Sequence, residues 1–394
     1  MARETEVAPA RDVPEDVLRF RARFRIFERK IHLANNSKGA LSDAAIAAHQ
    51  EYLDTWRELG APWGVWVGKH EELRASFADL IGGRPSEIAV CPSVSVALAA
   101  VASSLDWRDR PGVVFDDFSF PSVTYLWHAQ AARGARVARV HPDERGEIGA
   151  EGFAPVVDNA TRLVSVAHVC YKNGHRLDLP AVAQVAHDAG AWLIVDDYQS
   201  SGSRPLDVRS SGIDMLTTGT VKFLLGSAGV ALLYVREELL EQLHPTVSGW
   251  FGQRDPGDFQ IDRHDEAPDA ARFQSGTPAI PAVYDSLAGI ELVKSVGLER
   301  IGEWIDRLTA LLLERLAEEG FVPATPLDPA KRGPQVSVRS HDMDRAVEEL
   351  AARDVVVTSR DGNVRAAFHY YNTPDDVEAF VAALKEIEPL MVRA

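Results

Sequence analysis

Leu193–Val235, LIVDDYQSSGSRPLDVRSSGIDMLTTGTVKFLLGSAGVALLYV, holds the densest signal in the chain. An apolar run ends at Asp196, and Gln199 follows shortly after it. A second short apolar run, Val230–Val235 (VALLYV), closes the segment. Between Asp207 and Val235 the only lysine is Lys222, set in TGTVKFLLGSAG among apolar and small residues. A lysine so placed loses solvation, which lowers its pKa and makes the neutral amine accessible. Schiff-base chemistry requires that neutral amine. Taken singly, Asp196 reads more simply as a turn cap and Lys222 as a side chain snorkelling to the surface. Their combination with what surrounds them separates these readings.

Upstream, Ala191–Val195 (AWLIV) reads as a buried strand preceded by a helix at Leu179–Ala189, which Gly190 ends. Arg162–His168 (RLVSVAH) reads as another strand. Strands alternating with amphipathic helices imply a mostly parallel sheet covered on both faces, with ligands bound beyond the carboxyl ends of the strands. Ile88–Leu105 is uncharged but contains Pro92, so it reads as strand, turn and buried helix and not as a membrane span. From about Ser286 the pattern changes. A long helix at Leu298–Glu319 precedes short strands at Gln335–Arg339, Val355–Thr358 and Val364–Phe368. Helices at Met343–Ala352 and Asp375–Ile387 complete a smaller α+β unit. The expectation is an α/β protein with a large doubly wound domain over residues 45–285. Residues 1–44 and 286–394 form an N-terminal segment plus a small C-terminal domain.

The 394 residues are 46% hydrophobic and 25% charged, which excludes disordered, collagen-like and disulfide-scaffold classes. A net charge of −16 repels phosphate backbones, so nucleic acid is not expected as a partner. Two cysteines, Cys91 and Cys170, fit a reducing compartment. MARETEVAPARDVPEDVLRF has no apolar core and so no signal-peptide character; a cytoplasmic protein without a membrane partner is expected. The histidines show no HExxH, no paired-cysteine spacing exists, and Asp116-Asp117 reads as capping, so no metal is expected.

The block around Lys222 resembles the pyridoxal 5'-phosphate (PLP) signature of the class V aminotransferase family, D-x-A-[HQ]…G…P-x-D-V…D…K…G…G. It is matched by Asp196, Gln199, Gly202, Pro205, Asp207, Val208, Asp214, Lys222, Gly226 and Gly229. Further elements resemble the kynureninase-like subgroup. These are Asn36–Gly39 (NSKG), Phe120-Pro121-Ser122, His168–Gly174 (HVCYKNG), Gly249-Trp250, Arg272–Pro278 (RFQSGTP), Arg332–Ser337 (RGPQVS) and Val364–Thr373 (VRAAFHYYNT). The resemblance thus runs from Asn36 to Thr373 and implies the PLP-dependent transferase fold type I.

It also implies roles. Lys222 would form the Schiff base with the cofactor aldehyde and shuttle protons, Asp196 would pair with the pyridine nitrogen, and Gln199 would bond the ring hydroxyl. Phe120 would stack on the ring. The phosphate would sit at the helix start at Ser93–Ser95, on the Val94 N–H and Ser95, with Thr220, Trp250 and Thr277 nearby. In the family the threonine matching Thr277 comes from the neighbouring subunit, which implies a homodimer with active sites at its interface. Arg365 would clamp the α-carboxylate of a free amino acid substrate, with Asn36 close by.

Three departures stand out. Val221 replaces the His of desulfurases and epimerases or the Tyr of kynureninases. Tyr198 replaces an Ala that lies against the ring; it would either sandwich the ring with Phe120 or supply an acid/base hydroxyl. No cysteine lies between Ala330 and Val336, where persulfide-forming desulfurases carry one. The implied function is side-chain cleavage of an amino acid, by kynureninase-like Cβ–Cγ hydrolysis or by C–S β-elimination. Transamination, or PLP binding without turnover, stands as the alternative. Trp63, Trp66, His32 and Tyr370 are candidates for an aromatic substrate pocket.

Overall fold

The computed structural model describes residues 13–394; the first twelve residues, part of the segment assessed for a signal peptide, lie outside it. The strands in chain order are β1 (Ile31–His32), β2 (Ile88–Cys91), β3 (Gly112–Asp116), β4 (Arg136–Val140), β5 (Thr161–Ala167) and β6 (Trp192–Asp196). They continue with β7 (Met215–Gly219), β8 (Ala231–Val235), β9 (Gln335–Arg339), β10 (Val355–Val356), β11 (Thr358–Arg360) and β12 (Asn363–Ala367). The helices are α1 (Glu15–Arg21), α2 (Asp43–Leu59), α3 (Trp63–Ile81), α4 (Val94–Ser103), α5 (Pro121–Ala129) and α6 (Leu179–Asp188). After them come α7 (Ile280–Val296), α8 (Leu298–Glu318), α9 (Met343–Ala351) and α10 (Pro374–Glu386).

Seven strands form one sheet in the order β2-β8-β7-β6-β5-β3-β4, parallel except for β8, which runs antiparallel to both of its neighbours. The central strands β7 and β8 are buried along their whole length, which explains their lack of polar alternation. The edge strand β4 is partly exposed and carries Arg136 and Arg139, side chains that discourage edge-to-edge pairing. This is the doubly wound, mostly parallel architecture expected. A second sheet, β11-β12-β9, is antiparallel and packs with α8 and α9, and α10 packs on α8.

One core joins Val17, Phe20, Phe24 and Leu33 of the N-terminal segment to Ile301, Leu308, Val336 and Phe380. Two others sandwich the large sheet. Helix α7 runs across position 285 and packs against α2 and α3. The strand expected at Val355–Thr358 is split. Val355–Val356 pairs in parallel with β1, whereas Thr358–Arg360 pairs antiparallel with β12. The break arises because a partner nearly the whole chain away in sequence takes the first half. Among the described residues no helix is long and apolar enough to cross a membrane.

Candidate active site

Strands β2, β5 and β6, together with the turn after β7, direct their carboxyl ends at one cavity of about 360 Å3. Asp196 is the last residue of β6. It is half-buried and open to the cavity, and its Oδ1 accepts the Tyr198 N–H at 3.0 Å. Burial raises its pKa to about 6; the Tyr198 amide and the Lys222 charge oppose the rise. Its neighbour Asp197 is buried and pairs instead with the Nδ1 of buried His168 at 2.6 Å, which braces the loop that follows.

Lys222 enters the cavity from the turn after β7. Burial pulls its pKa down to about 8; the Asp196 carboxylate counters part of that fall, and Arg365 adds to it. The amine lies 4.1 Å above the centroid of the Tyr198 ring, within cation–π range. That ring rests on Gly219, where any Cβ would collide with it, so the glycine is the notch that admits the tyrosine. Burial, and then Asp196, pushes the Tyr198 phenol up to about 12.

Gln199 also lines the cavity. Its Nε2 donates to the Asn36 carbonyl at 3.1 Å, while its Oε1 is buried with no donor. The Asn36 side chain is behind this contact, donating to Gln335 Oε1 and accepting from Thr358 Oγ1, so Ser37 rather than Asn36 reaches the cavity wall. Opposite, α4 begins at the cavity. Ser93 caps it, its Oγ accepting the Val96 N–H at 3.2 Å and its carbonyl the Ala97 N–H. The amides of Val94 and Ser95, first in the helix, have no acceptor among the described residues. They add to the positive end of the helix dipole.

Phe120, 43% exposed, overhangs the cavity and meets Tyr171 edge-on, ring centroids 5.2 Å apart. Arg365, on β12, is buried next to the cavity. Its Nη1 donates to the Tyr171 carbonyl, its Nε has no partner, and burial lowers its pKa to about 10. Among the described residues no carboxylate pairs with it.

Not every candidate gathers here. Thr220 is fully buried behind the lysine turn, bonded to the Ser227 carbonyl and to Ser286 Oγ. Trp250 belongs to a separate cluster with Trp63, Phe251 and Phe259. Thr277 is exposed on a neighbouring cleft beside Pro92 and Gly229. The proposed aromatic pocket residues are elsewhere: Trp66 packs with Tyr52, His32 bonds the Lys38 carbonyl, and Tyr370 bonds Asp16. The apolar walls are instead Phe118, Phe120, Val123, Val169 and Tyr171. Tyr171 and Val169 lie in the HVCYKNG motif, a signal that marked the place without assigning them a role. Cys91 and Cys170 are free and buried, their thiols pushed up to about 12 by burial.

Comparison with known proteins shows the family and the fold. The model of the family described as aminotransferase class V matches residues 46–380. An uncharacterized aminotransferase of Bacillus subtilis is 35% identical, over 91% of this chain and 94% of that one. A kynureninase of Bacillus anthracis is 29% identical, over 95% and 92%. The apo structure of a cysteine desulfurase from Thermococcus onnurineus superposes with a TM-score of 0.86 at 25% identity, covering 95% of this chain and 98% of that one.

Proposed function

The chain belongs to the aminotransferase class V family, whose cofactor is pyridoxal 5'-phosphate, and from that premise we propose that it cleaves the side chain of a free α-amino acid. The residues present fit the cofactor by their own chemistry. Asp196 offers a carboxylate for the pyridine nitrogen, and the buried Gln199 Oε1, which lacks a donor, is left to meet the ring hydroxyl. The α4 amides of Val94 and Ser95, with the Ser95 hydroxyl, suit a phosphate dianion. Phe120 and Tyr198 offer two aromatic faces, and Lys222 the amine for the aldehyde. Thr220 stiffens the turn from behind. Trp250 and the exposed Thr277 are assigned to the phosphate site shared with a second copy of the chain.

When bound, PLP supplies an electron sink for the negative charge left at the substrate Cα. The chain's own residues do the rest. Arg365 holds the carboxylate with a fork that has no other anion to serve, and Asn36 steadies the Gln199 side of the site. Lys222, with its pKa near 8, takes and returns the Cα proton. The Tyr198 phenol stays protonated at neutral pH and so can serve as a proton donor but not as a base, the function that Val221 lacks; a Tyr198→Phe enzyme with full turnover would remove that role.

The observation that carries the reading is that Lys222, its pKa lowered by burial, and Asp196 line one cavity that Phe118, Phe120, Val123 and Val169 wall on its apolar side. Among the described residues Lys222 is the one cation lining it, so an uncharged side chain, aromatic or thioether, fits better than an acidic one. The relation to kynureninase across nearly the full chain supports cleavage of that side chain. A persulfide relay is disfavoured because both thiols are buried and held protonated. Leu41, Ile46, Leu53, Trp56 and Leu59, all exposed on and beside α2, supply an apolar face for a homodimer. A cytoplasmic location belongs to the same proposal.

A product screen with kynurenine, 3-hydroxykynurenine and S-substituted cysteines tests the reaction. Alanine plus an aromatic acid marks hydrolysis; pyruvate, ammonia and a thiol mark elimination. A keto acid formed only with an added acceptor would establish the aminotransferase alternative.

A further inference from the structure

Behind the cavity, the turn that carries Lys222 is held by segments remote from it in sequence. The carbonyl of Val221 accepts the Gly39 N–H at 2.9 Å, and Gly39 lies so close to the Lys222 carbonyl that a Cβ would collide with it. Gly202, at φ +94°, approaches the Phe223 carbonyl in the same way, and Gly289 of α7 approaches the Leu224 carbonyl. Leu225 closes the turn at φ +57°, in the left-handed region that leucine rarely enters, with its side chain sealed in the core. Such backbone strain persists only where the surroundings over-determine it.

A further contact comes from the segment after β12. His369 is fully buried, its ring stacked near those of Phe20, Phe223 and Tyr371. Tyr370 N–H donates to its Nδ1 at 2.8 Å, so the ring proton sits on Nε2, which donates to the Phe223 carbonyl at 3.0 Å. Burial holds its pKa down to about 4, so the imidazole is neutral at working pH. Among the described residues no acidic or basic side chain is hydrogen-bonded or ion-paired to this ring, whose polar partners are the Phe223 carbonyl and the Tyr370 N–H.

We propose that His369 is a positioning residue for Lys222: through the Phe223 carbonyl it ties the lysine turn to the segment leaving the strand that carries Arg365, and so sets the amine against the guanidinium. The inference rests on the roles proposed above for Lys222 and Arg365. It joins the C-terminal unit to the turn behind the cavity that carries the amine, whose placement to within an ångström governs rate.

The test compares His369→Phe, which keeps a stacked ring and deletes the donor, with His369→Gln, which restores a donor. The readouts are the pH midpoint of the holoenzyme's visible band and the rate at which the stripped full-length chain recaptures PLP. His369→Phe is expected to move the midpoint by about half a pH unit or more and to slow capture roughly tenfold, with His369→Gln within about twofold of wild type. Wild-type values in His369→Phe, or equal losses in both variants, would overturn the proposal. Should His369→Phe fail to fold, nitrogen NMR of the wild-type holoenzyme serves: a neutral ring protonated on Nε2 supports the proposal, and a proton on Nδ1 overturns it. Borohydride labelling of wild type is read alongside. Label absent from Lys222 sinks the functional reading, whereas label present with unperturbed variants sinks only the role of His369.

Discussion

The two sides of Lys222 are built on opposite rules. On the cavity side polar groups are left unmet: the Gln199 Oε1, the first amides of α4, and the Arg365 Nε. On the far side the lysine turn is tightly held. Backbone carbonyls 221–224 are each engaged or crowded by Gly39, Gly202, Gly289 or His369, and Leu225 is held in a left-handed turn. Burying an unpaired polar group costs about 1–3 kcal/mol. A fold tolerates several at one place when a ligand is to fill them, and an over-determined scaffold behind keeps that place from collapsing.

Substitutions on the two sides should therefore fail differently. The largest expected effect is on the cavity side: Lys222→Ala should lower turnover by about 10^4-fold or more while leaving thermal unfolding near wild type. Gly202→Ala is its counterpart on the scaffold side. A methyl forced against the Phe223 carbonyl, at a φ that alanine resists, should cost ~2–4 kcal/mol in denaturant unfolding. Gln199→Leu is smaller: it should weaken PLP binding roughly tenfold, seen by equilibrium titration, with under ~1 kcal/mol change in apoprotein stability. Equal stability losses in the Gly202 and Gln199 variants would erase the distinction.

The smallest effect is a pH shift. The Lys222 pKa is depressed to about 8, so the neutral amine gains as pH rises through that value, and PLP capture by the stripped chain should rise with it. Removing the nearby carboxylate with Asp196→Asn takes away the charge that holds the pKa up, and the midpoint should move to lower pH. An upward movement would mean that Asp196 does not face the amine.

Much of the cavity side was legible because its signals are contiguous. Asp196 ends β6, Gln199 follows it, and Lys222 lies in the turn after the neighbouring strand β7, so adjacent parallel strands bring them to the same sheet edge. The substrate wall was not legible in that way. Trp63 and Trp66 attract notice by residue type, yet both sit on α3, and they pack against each other and against Trp250 and Tyr52. Tyr171 and Phe118, which do form the wall, arrive there through turns whose direction no periodicity encodes. The scaffold side was harder still. His369 acts through a backbone carbonyl, a contact that leaves no mark on the partner's side chain. The split at Val357 depends on β1, whose pairing with β10 is set by the fold as a whole.

The central claim is that the Lys222 amine captures the cofactor aldehyde. Borohydride reduction of the PLP-loaded protein followed by peptide mapping tests it most directly. The expected result is a yellow protein that bleaches on reduction and carries one pyridoxyl group on the peptide containing Lys222. A protein that stays colourless in PLP, or carries the label on another lysine such as Lys38, would contradict it.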